Sequence, residues 1–145
     1  MKTVEQILRS KGNAFWSVTP ETMVYDALKL MADKDVGALL VLDDRMRLVG
    51  VISERDYARK VILKGKSSLA TPVQAIMTPH VVTSQPGQTV DECMALMTAK
   101  RVRHLPVVAE GKVVGVVSIG DLVKASLDEK DFLIHQLEHY ITGNP

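Results

Sequence analysis

The spacing of apolar positions along this chain changes period several times, and each change marks an element. Val24, Ala27, Leu28 and Met31 stand at i, i+3, i+4 and i+7, one face of a helix. Val90, Cys93, Met94 and Met97 repeat that stripe, and Thr89 with Glu92 places a capping box in front of it. The short apolar runs ALLVL (38–42) and LPVVA (105–109) have the length of buried strands. LVGVIS and VVGVVS follow them after tight polar turns, so two hairpins are predicted. The period then lengthens again in RDYARKVILK and GDLVKASL, which predict helices starting close to an aspartate.

These elements come in two copies. Residues 15–42 overlay residues 81–108 without a gap: Pro20 meets Pro86, Val24 meets Val90, Met31 meets Met97, Lys34 meets Lys100 and Val41 meets Val107. One residue is lost in the hairpin turn, after which Gly50, Ser53 and Asp56 fall on Gly115, Ser118 and Asp121. The lead-ins TVEQIL (3–8) and PVQAIM (72–77) also correspond. Each copy reads as strand, helix, strand, strand, helix, and the match is a duplication of one unit. The expected organisation is a first repeat over 4–65, a linker over 66–72, a second repeat over 73–127 and a helical extension over 128–145. The linker is drawn by Gly65, Ser67, Ser68 and Pro72. Units this small cannot bury their sheets separately, so the repeats are expected to pack on each other in pseudo-twofold fashion.

Composition narrows the function. Hydrophobic residues make up 46% of the 145, enough for a core. A net charge of +1 and 4% aromatics leave neither a basic surface nor stacking platforms, so nucleic acid is a disfavoured partner. No apolar run reaches the ~18 residues of a membrane span. The only cysteine, Cys93, lies on the core face of its helix, where a thiol packs as a small hydrophobe. A cytoplasmic protein without membrane contact is expected.

The candidate chemistry sits where each second hairpin strand meets its helix. Ser53 and Asp56, like Ser118 and Asp121, form Ser-x-x-Asp, which has two readings. As a capping box, the serine accepts from a first-turn N–H while the aspartate reaches back to the serine's own amide. As a ligand site, the helix start offers N–H groups to a phosphate, and the carboxylate accepts hydrogen bonds from a ribose cis-diol. Duplication after a Gly-led strand favours the second without removing the first.

With its apolar helix stripe, its paired short strands and the terminal G-V-(V/I)-S-x-x-D in both copies, residues 4–127 resemble a tandem pair of cystathionine β-synthase (CBS) domains. The resemblance implies an α/β fold of two β-α-β-β-α repeats packed through their sheets with pseudo-twofold symmetry, here followed by a C-terminal helix. It implies clefts that take adenosine compounds such as AMP, ADP, ATP, NAD or S-adenosylmethionine. Carried over, Asp56 with Ser53 and Asp121 with Ser118 would each hold a ribose and its phosphate. Val36, Gly37 and Ala38 in one copy, and Val102, Arg103 and His104 in the other, would flank the adenine. Trp16, Met77, Thr78 and Val82 would close the clefts.

The copies differ. Arg103 and His104 stand where the first copy has Gly37 and Ala38, whereas the first copy carries Arg55 where the second has Gly120. Arg55 and Arg103 suit phosphate pairing, which predicts two unlike phosphate environments. The plainer readings keep both arginines in solvent, His104 in packing and Trp16 in the core.

Beyond the repeats, DEKDFLIHQLEHYITGNP predicts a helix with Leu133, Leu137, Tyr140 and Ile141 on its apolar side, stopped by Gly143. Such a helix would pack on its own domain or brace a homodimer. His135 and His139 match a metalloprotease spacing, but no carboxylate follows to complete a zinc site, and no metal is expected. No nucleophile–base pair is present either. The chain reads as a non-enzymatic regulatory module that requires no cofactor, binds an adenosine ligand and acts on an unknown protein target in trans. The alternative is a dimeric scaffold whose clefts bind no nucleotide.

Overall fold

The computed structural model describes residues 2–142. It is a mixed α/β chain of two repeats with small sheets and a C-terminal helix. The chain divides into two compact units that do not follow it in order. One is Phe15–Val81; the other joins the described residues of Met1–Ala14 to those of Val82–Pro145.

In the 15–81 unit, β1 (Ser17–Val18) runs parallel to β2 (Ala38–Leu42), which pairs antiparallel with β3 (Leu48–Ser53) in the order β1-β2-β3. Helix α2 (Val24–Lys34) turns the predicted stripe inward: Val24, Ala27 and Met31 are buried with Leu39, Val41 and Ile52 of the sheet. Asp35 in the left-handed region ends α2. After β3 the chain forms α3 (Glu54–Tyr57) and widens at once into a π-helical turn, Ala58–Ile62, that sends Val61 into the core. Sequence periodicity predicts an ordinary helix there; the extra residue in the turn is what lets Val61 reach inward. The last segment, a 3-10 turn over Val73–Ala75, docks on this unit: Val73 N–H donates to Thr22 O at 2.7 Å and Gln74 N–H to Pro20 O at 3.0 Å.

The second unit repeats this plan with its own lead-in. Helix α1 (Val4–Lys11) takes the place of the 3-10 turn, with Val4 N–H donating to Gln88 O at 2.9 Å and Glu5 N–H to Pro86 O at 3.0 Å. Helix α4 (Val90–Lys100), capped by Thr89 and Glu92, buries Val90, Cys93 and Met97. Strands β4 (His104–Ala109) and β5 (Lys112–Ser118) form the hairpin, turned at Glu110 and Gly111 with φ of 52° and 77°. Such paired positive φ values match the strands' right-handed twist. The predicted first strand shrinks here to one parallel bridge between Ser84 and Val107. Each unit therefore takes its lead-in from the other sequence copy: α1 opens the chain but packs with repeat two, and residues 72–78 precede repeat two but pack with repeat one.

One glycine in each unit makes that docking possible. A Cβ on Gly50 would lie 2.6 Å from Met77 Sδ, and one on Gly115 would lie 2.8 Å from Leu8 Cδ2. The lead-in side chain lies flat on the strand because the strand has no side chain at that point.

The last helix, α5, runs unbroken from Ile119 to Thr142. The predicted tail helix is the continuation of the second repeat's own helix, because after Gly120 in the first turn no Gly or Pro interrupts the sequence through Thr142. Only Leu122 and Ala125 of α5 are buried. Leu133, Leu137, Tyr140 and Ile141 are 55%, 60%, 86% and 80% exposed, so this stretch does not pack on its own unit. The predicted stop at Gly143 lies outside the described residues.

Candidate functional site

Each hairpin delivers its second strand into a helix start, and the Ser-x-x-Asp motif lies at that junction. Ser53 pairs across the hairpin with Ala38, and Ser118 with His104. Both capping boxes are formed. Ser53 N–H donates to Asp56 Oδ2 at 3.0 Å and Asp56 N–H to Ser53 Oγ at 3.2 Å; the second pair repeats this at 2.9 and 3.1 Å. The capping reading is thus realised in both copies. It also fixes the carboxylates: tethered by one oxygen, each holds a set orientation and leaves the other oxygen for a further partner.

Those further partners differ. At Asp56, Oδ1 receives the Lys60 ammonium at 3.1 Å and lies 3.5 Å from Thr78 Oγ1. Lys60 also donates to Ile76 O at 3.0 Å, which pins it. Thr78 is held there by paired backbone bonds with Val51, at 3.1 and 2.9 Å. At Asp121, Oδ2 takes both the Ser118 amide and the Lys11 ammonium, the latter at 2.7 Å, while Oδ1 makes no hydrogen bond among the described residues. Burial would raise the Asp121 carboxyl, but Lys11 and Ser118 outweigh it and hold it below its ordinary value.

The remaining predicted residues divide between the units. In the first, Gly37 O accepts from Glu54 N–H at 3.1 Å, with Ala38 beside it and Val36 packed against the core. Arg55 is exposed and makes no ion pair among the described residues. Met77 is a packing residue against Gly50. Trp16 is 41% exposed, with the Lys34 ammonium 4.3 Å from its ring centre. In the second, Arg103 O accepts from Ile119 N–H at 2.9 Å, the counterpart of the Gly37–Glu54 bond. Val102 and Val82 pack against the core, and Arg103 is exposed. His104, an exposed residue, is nonetheless held below its ordinary pKa by desolvation; Asp121 opposes this, and Lys11 and Arg103 reinforce it.

Sequence reasoning passed over Lys11, Lys60 and Glu54. Lys60 was visible as an i+4 partner of Asp56. Lys11 carried no local signal, since 110 residues separate it from Asp121. Among the described residues no group of His, Cys, Asp or Glu is placed to hold a metal, and no helix is long and apolar enough to cross a membrane.

Comparison with known proteins gives these positions a context. The chain matches the family model described as the CBS domain over residues 4–63 and again over 73–128. The mitochondrial CBS domain-containing protein CBSX3 of Arabidopsis thaliana is 41% identical over 150 residues, covering 97% of this chain and 72% of its own. A solved protein with CBS domains from Burkholderia ambifaria is 53% identical with a TM-score of 0.84, and 88% of this chain and 95% of that one are covered. The structure of CBSX2 in complex with AMP is 32% identical with a TM-score of 0.71, covering 90% of this chain and 99% of its own.

Proposed function

This chain belongs to the CBS-domain family as a tandem pair, and from that we propose that it is a non-enzymatic regulatory module binding adenosine-containing ligands at Ser53–Asp56 and Ser118–Asp121. One observation carries the reading: in both units the capping box holds an aspartate in a set orientation at a helix start, beside serine and backbone amide donors. A carboxylate so held accepts hydrogen bonds from adjacent ribose hydroxyls without the entropy cost of ordering it first. Thr78 beside Asp56 adds a hydroxyl to that set. The AMP found in CBSX2 supports an adenosine compound as the ligand class.

In this reading the chain carries out no chemistry of its own. A ligand favouring one arrangement of the chain shifts the population that a protein target reads, by no more than its differential affinity for the two arrangements. The exposed apolar side of α5 supports a homodimer as the working form. Equilibrium dialysis against labelled AMP tests the proposal: the wild type retains ligand, and Asp56→Ala with Asp121→Ala abolishes retention.

The alternative, a scaffold protein whose sites stay empty, draws on the same capping boxes, which satisfy both aspartates without any ligand. Retention of no adenosine compound by the wild type would favour it.

A further inference from the structure

We infer that the two units sort adenosine ligands by charge: the Lys11–Arg103 site of the second unit prefers phosphorylated adenosine compounds, and the Glu54 site of the first prefers uncharged or cationic ones. This rests on the ribose-binding reading of the two aspartates and names what each site selects.

Both units share one backbone bond at the edge of the site. Residue 54 donates its amide to the carbonyl of residue 37, and residue 119 donates to residue 103. At this matched pair the first unit carries a carboxylate and the second a guanidinium. Glu54 Oε1 lies 3.6 Å from the point a Cβ would occupy on Gly37, so the acid lies over the bare backbone at the site's edge. In the second unit the corresponding residues are Arg103 and the uncharged Ile119.

The lysines widen the difference. Lys60 is spent on two acceptors, Asp56 Oδ1 and the Ile76 carbonyl. Lys11 reaches its aspartate from another element, the last turn of α1. It binds Oδ2 only, leaving donors on a flexible stem and leaving Asp121 Oδ1 open to a ribose hydroxyl. The sugar can therefore dock without expelling Lys11, which then faces the phosphate side of the ligand. In the first unit the lead-in makes only the 3-10 turn before Thr78, and His80 stands in sequence where the second unit has Lys11. With Asp121 counted, Lys11 and Arg103 leave one positive charge in excess at the second site, with His104 neutral; at the first, Arg55 and Lys60 are balanced by Asp56 and Glu54 together.

The test isolates each site in the full chain and measures adenosine and AMP by calorimetry. Asp56→Asn, which keeps a capping oxygen, silences the first site; Asp121→Asn silences the second. With Asp56→Asn, AMP is expected to bind at least about tenfold more tightly than adenosine. With Asp121→Asn, adenosine is expected to bind as tightly as AMP or more so. Adding Lys11→Met to Asp56→Asn lowers AMP affinity about tenfold and adenosine affinity by less, so the AMP-to-adenosine ratio falls; Glu54→Gln in the Asp121→Asn background raises AMP affinity selectively. Equal AMP-to-adenosine ratios at the two sites would overturn the inference, as would a Lys11→Met effect equal on both ligands, which marks a merely structural lysine. Binding that survives Asp56→Asn with Asp121→Asn instead removes the ribose reading itself, and charge sorting falls with it.

Discussion

The ammonium of Lys11 lies 2.7 Å from Asp121 Oδ2, joining the last turn of the first helix to the first turn of the last. The bond exists because α1 packs its Leu8 against the bare backbone of Gly115 and thereby carries Lys11 to the end of β5. It serves the fold and the site together, and its acid titration can be read. The Asp121 carboxyl is held below its ordinary value of 3.8, so near that pH the unfolded chain binds more protons than the folded one. The stabilisation is present above 3.8 and is lost as pH falls through the lower folded value. Lys11→Met is expected to flatten the acid limb of stability against pH, by less than about 1 kcal/mol because both side chains are partly solvated. Urea denaturation between pH 3 and 7 reads it.

His104 gives a second window. Its folded pKa lies below the ordinary 6.5, so the unfolded state takes up protons first as the solution is acidified. Its contribution favours folding above 6.5 and is lost on going down through the folded value. His104→Asn should reduce the slope of stability against pH just below 6.5 and leave the slope above it unchanged. A slope unaltered in both ranges would exclude the assignment.

Gly50 and Gly115 are required for docking the exchanged lead-ins. Valine at either place drives atoms into Met77 and the Thr78 carbonyl, or into Leu8. Each substitution is expected to cost about 1–3 kcal/mol. Gly50→Val should also weaken ligand binding in the first unit, because Thr78 shares that segment. Thermal melts with a parallel dialysis measurement separate the two effects.

Cys93 is fully buried on α4, its sulfur 3.3 Å from Ser84 Oγ, and burial raises its pKa. A protonated thiol without solvent access is a poor nucleophile. In native protein it should react with a disulfide reagent only as fast as the second unit opens. Rapid labelling under conditions where the unit stays folded would contradict this placement.

The distal part of α5 leaves Phe132, Leu133, Ile134, Leu137, Tyr140 and Ile141 more than half exposed. In the homodimer reading this is where two copies meet. Leu133→Glu with Leu137→Glu is expected to convert a dimer to a monomer in sedimentation velocity. A double variant that stays dimeric would take α5 out of the interface.

Much of this molecule follows from local pattern. The stripes Val24–Ala27–Met31 and Val90–Cys93–Met97 became core faces because side chains three and four apart on a helix share one side whatever the surroundings. The hairpins and both Ser-x-x-Asp junctions were equally legible, since alternation and capping act over a few residues. Tertiary structure alone decided which lead-in packs with which repeat, which ammonium meets each carboxylate, and that the tail extends α5 away from its own unit. Those outcomes depend on shape complementarity between segments tens of residues apart, as at Leu8 on Gly115 and Lys11 on Asp121. Periodicity carries no information about such distances. It names the residues that can pair, and only the packed chain selects the pairs.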